Sequence, residues 1–350
     1  MERKDQGLGF LLNYENVAWY DEGVVSILDR RVYPREVSKV YCKTHQEVAQ
    51  AIADMVTQSA GPYTAAGMGM ALAAYQVKNQ TKAEQLAYLT QAAETIATAR
   101  PTTANRMRIV TQGCLQACTK ALENGEDPIQ AAFHRTIDSL NRRYSRMEIV
   151  GEHLAKLFPN NGKILTQCFG ETIVGMMLRA AQKQNKQLQI FCAETRPYLQ
   201  GARLTASVAH QMGFETTVVS DNMIAYLMQH KGIDVFTSAA DTIARDGHIA
   251  NKVGTYQIAI LCQRFGIPYF VTGIPDEDKH FGNQIIIEER NPEETLSAHG
   301  IKHSLEGVKA IYPSFDITPP KLIDGVVTDK GIFSPYDLES YFLSDTAVFY

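Results

Sequence analysis

Four short segments carry side chains able to act on a ligand. In KILTQCFGET (163–172) a short apolar run ends at Cys168, and ETIVGMMLRAAQ, which reads as a helix, follows at once. A helix N-terminus carries partial positive charge and free N–H groups. That setting is expected to lower a thiol's pKa and make it a usable acid or base; the plain alternative is a buried apolar cysteine. In AADTIARDGHIANKVGTYQ (239–257) Asp241 stands just after a strand-like run, placed either to cap a helix or for acid–base work. Lys252, close to Gly254, can bring charge and close backbone approach to a phosphate, or can be an ordinary solvated lysine. In AETRPYLQGARLTA (193–206) Glu194, Arg196, Gln200 and Arg203 sit on a loop shaped by Pro197 and Gly201 that enters a helix near Leu204. In ARPTTANRM (99–107) Arg100 stands before Pro101 at a helix entrance, as a cap or a phosphate clamp.

The elements that must position these residues follow from periodicity. Residues 16–40 alternate apolar and polar positions, with Asp21-Glu22-Gly23 as the turn and Pro34 as the close, and predict a small antiparallel sheet. From THQEVAQAIADMV onward the spacing is helical and rich in Ala and Leu. Pro128 after Asp127 reads as a helix start. PNNGK (159–163) marks the boundary between an N-terminal helical domain with its small sheet, 1–158, and a C-terminal Rossmann-like domain, 159–350. Beyond it the strand-like runs KILTQC, LQIFCAE, ETTVVS, DVFTSAA and PYFVTGI alternate with helical stretches. That alternation predicts an α/β fold with a doubly wound, mostly parallel sheet. Ligands of such sheets bind beyond the C-terminal strand ends, where Cys168, Glu194, Ser220, Asp241 and Gly273 all fall. LIDGVVTDKGIF adds a short strand pair.

Composition narrows the class. The chain has 350 residues, 45% hydrophobic and 21% charged, enough for a sizeable core. A net charge of −4 gives no electrostatic reason to expect nucleic acid or an anionic membrane as partner. No apolar run approaches the roughly 20 residues of a membrane span. MERKDQGLGFLLNYENVAW has no signal-peptide core, so a soluble cytoplasmic protein is expected. Six cysteines are scattered without a CxxC pair, which argues against a disulfide framework. Cys114 and Cys118 share one helix face and read as an apolar stripe, because no His or Cys pair lies near them to complete a metal site. No metal and no cofactor are expected.

RPTTAN, ETRPYLQGARLTA, AADTIARDGHIANKVGTYQIA and FDITPPKLIDGVVTDKGI, in this order, resemble the methylthioribose-1-phosphate isomerase family. That family is related to ribose-1,5-bisphosphate isomerases and to regulatory subunits of the eukaryotic translation-initiation exchange factor. The resemblance runs from about Trp19 to Asp329. It implies a helical N-terminal domain with a small sheet, a Rossmann-like C-terminal domain, a homodimer joined through the latter, and a small sugar phosphate as ligand. It implies that Cys168, in a Thr-x-Cys segment, and Asp241, in an Ala-Asp segment, are the catalytic pair. By the same matching Arg100, Gln200, Asn251 and Lys252 become substrate contacts, together with the loop Ser59, Ala60 and Gly61.

Two departures from the family border the ligand site. Its Val-Arg-Gly-Ala-Pro-Ala-Ile-Gly is here TQSAGPYTAAG (57–67): Pro62 aligns, but Ser59 stands at the arginine position. A charge-assisted contact of about 1.5–3 kcal/mol is absent there or supplied by another residue. Phe169 stands where the family has Asn. The implied reaction converts an aldose 1-phosphate to a ketose 1-phosphate. Its default substrate is S-methyl-5-thioribose 1-phosphate of methionine salvage, with 5-deoxyribose 1-phosphate close behind. Asp241 would protonate the ring oxygen and therefore needs an apolar setting, to which Phe169 can contribute; Cys168 would work as thiolate. A non-catalytic relative that senses a sugar phosphate or nucleotide, or a ribose-1,5-bisphosphate isomerase, are the alternatives.

Overall fold

A computed structural model describes residues 3–100, 104–298 and 300–343. They form two compact units: residues 3–6 with 10–145, and residues 7–9 with 146–343. The division falls within the long helix α6 named below, whose last part, from Arg146 on, packs with the second unit.

In the first unit a single turn α1 (Tyr14–Val17) precedes β1 (Ala18–Asp21), β2 (Val24–Leu28) and β3 (Lys39–Cys42), an antiparallel sheet in the order β1-β2-β3. The expected sheet therefore gains a third strand beyond Pro34. The helices are α2 (His45–Ala53), α3 (Gly61–Gln76), α4 (Lys82–Ala97), α5 (Ala104–Asn124) and α6 (Pro128–Lys156). Their starts are chemically marked. Thr81 and Glu84 form a reciprocal capping box on α4. The Asp127 carboxylate accepts the Ile129 N–H at 2.8 Å, as the Asp-Pro pair led one to expect. α3 (GPYTAAGMGMALAAYQ) is buried on all sides from Gly61 to Ala74. Its glycines and alanines allow neighbours close approach, so it serves as the central post of the unit. Cys114 and Cys118 are both buried in the adjoining core, as an apolar stripe should be.

The second unit alternates as expected: β4 (Lys163–Gln167), α7 (Thr172–Lys183), β5 (Gln189–Ala193), α8 (Ala206–Gln211), β6 (Glu215–Val219), α9 (Ile224–Lys231) and β7 (Val235–Ala239). There follow β8 (Thr242–Ile243), β9 (Ile249–Lys252), α10 (Thr255–Phe265), β10 (Tyr269–Thr272), the short pair β11 (Ser297–Ala298) and β12 (Ile301–Lys302), β13 (Phe315–Thr318), β14 (Gly325–Thr328) and β15 (Gly331–Phe333). The main sheet has the order β15-β14-β10-β7-β4-β5-β6 and is parallel except for the β14–β15 pair. From β4 the chain builds outward through β5 to β6, then returns to lay β7 on the other side of β4. The strand order therefore reverses between β4 and β7, the switch point at which open α/β sheets leave a crevice. A second, antiparallel sheet β13-β9-β8 stands beyond the strand ends. Among the described residues no helix is long and apolar enough to cross a membrane.

The sheet core is apolar and tightly packed. Phe236 of β7 is fully buried and stacks on Tyr269 of β10, ring centroids 4.4 Å apart. Phe236→Ala is expected to lower unfolding free energy by about 3–5 kcal/mol, because it removes a fully buried ring and leaves a cavity in its place. Chemical denaturation of parent and variant measures this; a change below about 1 kcal/mol would mean the site collapses freely.

Candidate active site

Cys168 follows β4 and Asp241 follows β7, so both leave the strands that flank the switch point. In the parallel register Thr166 lies opposite Thr237, which places the two candidates on adjoining strand exits. Asp241 is tied to the second sheet through its N–H, which donates to the Ala250 carbonyl at 2.9 Å. Strand β9 contributes Asn251 and Lys252, both buried. Lys252 is thus no solvated lysine: its Nζ lies 4.9 Å from the Phe315 ring centroid and 5.8 Å from that of Tyr312.

The residue before the cysteine locks this arrangement. The Gln167 amide donates to the carbonyls of Lys252 at 3.3 Å and Val253 at 2.9 Å, and its oxygen accepts the Thr255 hydroxyl. Asn251 Nδ2 donates to the same hydroxyl at 3.0 Å. Gly254, at φ +102°, makes the turn possible, and a Cβ there would meet the Gln167 amide at 3.1 Å. Asp316 of β13 accepts the N–H groups of Gly254 at 2.6 Å and Tyr256 at 3.1 Å at the start of α10. Burial pushes its carboxyl up to about 6, against those bonds and the nearby Lys252.

Cys168 itself is held from both sides. Its N–H donates to Thr195 Oγ1 at 2.9 Å, and its carbonyl accepts the Thr205 hydroxyl. The Thr195 and Arg196 N–H groups in turn donate to the Asp221 carboxylate at 2.9 and 2.8 Å. Cys168, Glu171, Thr195 and Leu199 all have positive φ, between +45° and +66°. Such backbone costs about 1–3 kcal/mol per residue and concentrates at functional sites. Gln200 is buried, and its Oε1 has no hydrogen-bond partner within the protein.

Several expectations change. Burial pushes the Cys168 thiol up to about 11; Lys252 and Arg290 pull it down, while Asp241 pushes it further up. The helix start was expected to lower it, but Phe169, Gly170 and the buried Glu171 intervene before α7 begins, and desolvation outweighs the helix. Phe169 is buried, yet Asp241 is exposed rather than enclosed in an apolar setting. Arg196 and Arg203 hold loops. Arg196 Nη2 donates to the carbonyls of Thr295 and Ser297 at 3.2 and 3.0 Å, and Arg203 donates to the Tyr198 carbonyl at 3.0 and 2.7 Å. Among the described residues no group of three or more His, Cys, Asp and Glu side chains is placed to hold a metal ion.

The first unit holds the remaining candidates. Ser59, at φ +60°, is exposed, Ala60 is half-buried, and Gly61 opens α3. A Cβ on Gly61 would stand 1.9 Å from Thr57 Oγ1, so the loop requires glycine there. Beneath it lie two buried guanidinium groups. Arg30 donates to the Gln58 carbonyl at 2.8 Å; Arg143 donates to the Ala60 carbonyl and to Thr64 Oγ1, both at 3.3 Å. Two guanidinium charges thus lie under the loop, a feature the sequence did not signal. Arg100 is half-buried; Pro101, Thr102 and Thr103 of its segment lie outside the described residues. Gln167, Thr195, Asp221 and Asp316 were also missed, since their partners lie far off in sequence.

Known proteins align with this arrangement. Residues 58–335 match the initiation factor 2 subunit family. The chain is 34% identical to the methylthioribose-1-phosphate isomerase of Chloroflexus aurantiacus, covering 91% of this chain and 94% of that one. It is 36% identical to the enzyme of that name from Acetivibrio thermocellus, covering 91% and 96%. In three dimensions it resembles the 5-methylthioribose 1-phosphate isomerase of Pyrococcus horikoshii, with TM-score 0.81 and 31% identity over 94% of this chain and 96% of that one. It also resembles the translation initiation factor eIF-2B, subunit delta, from A. fulgidus, with TM-score 0.80 and 27% identity over 91% and 96%.

Cys168 is half-buried while the other five cysteines are buried. Iodoacetamide should therefore label Cys168 first in the folded protein. With the thiol at about 11, its labelling rate should climb roughly tenfold per pH unit from pH 8 to 10. Peptide mass spectrometry of timed samples reads this. A rate already flat at pH 8 would mean that the thiol ionises near neutrality.

Proposed function

The chain belongs to the methylthioribose-1-phosphate isomerase branch of the initiation factor 2 subunit family, and from that premise we propose that it is an isomerase converting a pentose 1-phosphate from aldose to ketose. The observation that carries this reading is the placement of Cys168 and Asp241 on the exits of β4 and β7, with Asp241 acting electrostatically on Cys168. The proposed substrate is S-methyl-5-thioribose 1-phosphate, the intermediate of methionine salvage, with 5-deoxyribose 1-phosphate as a second. The two differ only where a thioether gives way to a methyl, and apolar contact discriminates such pairs modestly. Ser59, Ala60, Gly61 and Arg100 are the proposed phosphate contacts. Arg30 and Arg143 beneath the loop supply the charge that Ser59 lacks.

The chemistry must open the ring at C1 and move a hydrogen from C2 to C1. Cys168 rests as a thiol, because burial opposes its anion. Lys252 and Arg290 favour the thiolate, and a charged Asp241 disfavours it. Passing the thiol proton to Asp241 removes that last penalty and arms both groups at once. Asp241 then protonates the ring oxygen as the C1–O bond breaks, and the thiolate removes the C2 proton, leaving an enol. Cys168 returns its proton to C1, and Asp241 takes the proton of the C2 hydroxyl as the carbonyl forms. Both groups end in the armed state, thiolate and protonated carboxyl, from which the reverse proton transfer restores the resting pair, and no electrons leave the substrate. A hydride shift from C2 to C1 is the rival route.

A phosphorus NMR time course with methylthioribose 1-phosphate and 5-deoxyribose 1-phosphate in separate tubes tests the reaction; conversion of neither would sink it. Run in D2O, proton transfer deposits deuterium at C1 and a hydride shift deposits none. Cys168→Ala and Asp241→Asn are each expected to reduce kcat by about 10^2–10^4-fold. Parent-like turnover in both variants would refute the assignment of the pair.

A further inference from the structure

A second polar group, to which Arg290 belongs, lies within electrostatic reach of Cys168. Residues 288–290 pair antiparallel with 312–314: the Arg290 N–H donates to the Tyr312 carbonyl at 2.9 Å, the Ser314 N–H to that of Glu288 at 2.8 Å, and Glu289 bridges to Pro313. Strand alternation puts Glu288, Arg290, Tyr312 and Ser314 on one face and leaves Glu289 exposed on the other. Tyr312 is 2% exposed and Ser314 fully buried. The Arg290 side chain is 9% exposed, and its Nε stands 3.3 Å from Glu288 Oε1.

Within the protein the hydroxyls of Tyr312 and Ser314, the Nε and Nη1 of Arg290, and one oxygen each of Glu288 and Glu294 make no hydrogen bond. A buried polar atom left unpaired costs about 1–3 kcal/mol. Four side chains in this condition on one face, with Glu294 a fifth shortly after Arg290 in sequence, point to a ligand that pairs with them. The group lies within electrostatic reach of the catalytic candidates: Arg290 acts on Cys168, Cys168 on Tyr312, and Arg290 and Lys252 on Glu294. It is held in place by Arg196, which binds the carbonyls of Thr295 and Ser297 just beyond Glu294. Its chemistry is mixed: one guanidinium, two carboxyl groups, a phenol and a hydroxyl. Two carboxyl groups would repel a phosphate, whereas donors and acceptors in this balance suit neutral hydroxyls.

We propose that Arg290, Glu294 and Tyr312 form a recognition wall for the non-reacting hydroxyl groups of the sugar, so that the C3 hydroxyl is required for tight binding. This rests on the isomerase reading and deepens it. The test is steady-state kinetics of parent, Tyr312→Phe and Glu294→Gln on methylthioribose 1-phosphate and on its 3-deoxy analogue, with thermal melts of each protein. Tyr312→Phe is expected to raise KM for the full sugar about tenfold, with a smaller effect on kcat, and to leave KM for the 3-deoxy analogue at the parent's value. Its melting temperature should hold or rise, because an unpaired buried hydroxyl has been removed. Glu294→Gln should show the same selective loss. Equal losses on both sugars with a lowered melting temperature would assign these residues to structure and overturn the proposal, as would unchanged KM values. If the parent turns over neither sugar, the isomerase reading fails and takes this one with it; if the parent is active and the variants match it, only the wall fails.

Discussion

The second unit turns on one side-chain amide. Gln167 closes β4, and its amide spans from that strand end to the turn at 252–255, donating to two carbonyls and accepting a hydroxyl. It bridges two sheets, because β4 and the strand that carries Asn251 and Lys252, β9, do not pair with each other. Cys168 is the next residue. The fold therefore fixes the cysteine against the lysine by a bond made one residue upstream, and the glycine at 254 is the opening that lets the amide in. Buried amide networks of this kind are rigid only when each group is satisfied, and here the single Thr255 hydroxyl proton is shared between the Gln167 amide oxygen and the Lys252 carbonyl while its oxygen accepts from Asn251.

Two opposed effects then set the character of the thiol. Enclosure disfavours the anion, and two cations and one carboxylate compete over it. Burial wins in the resting protein. This ordering is useful for a cysteine that must work only on a bound substrate, since a thiol is far less prone to side reactions than a thiolate. The same balance explains why Lys252 is worth burying: an ammonium among Phe315 and Tyr312 acts at short range in a low dielectric, where its charge is least screened.

Much of this was legible in the sequence. β4, β5, β7 and β10 are short β-type runs separated by helical spacing, and such runs declare a parallel sheet whatever their detail. Cys168 and Asp241 could be singled out because strand ends are local features, and the quoted motifs ranked them above their neighbours. What could not be read depends on contacts that the chain makes over long distances. Arg143 reaches Ala60 across 83 residues, and Asp316 reaches Gly254 across 62. The sign of the thiol shift is of the same kind, because desolvation sums over every atom that closes round the sulfur. The third strand β3 was missed since Pro34 read as the end of the sheet, whereas the chain passes it and returns to pair with β2. Arg196 could be read from sequence as a ligand group or as a loop holder, and its hydrogen bonds to the carbonyls of Thr295 and Ser297 make it a clamp.

The positive-φ residues have a consequence for engineering. Cys168, Glu171, Thr195 and Leu199 occupy backbone that glycine adopts at little cost, yet none is glycine. Against a total stability on the order of 5–15 kcal/mol, four such positions form a standing debit concentrated around one thiol. A stabilisation campaign scored only on melting temperature would relax these positions first. Thr195 would be a damaging gain, for its hydroxyl holds the Cys168 N–H. The most heat-resistant descendants of this chain would then be those whose cysteine has been set loose.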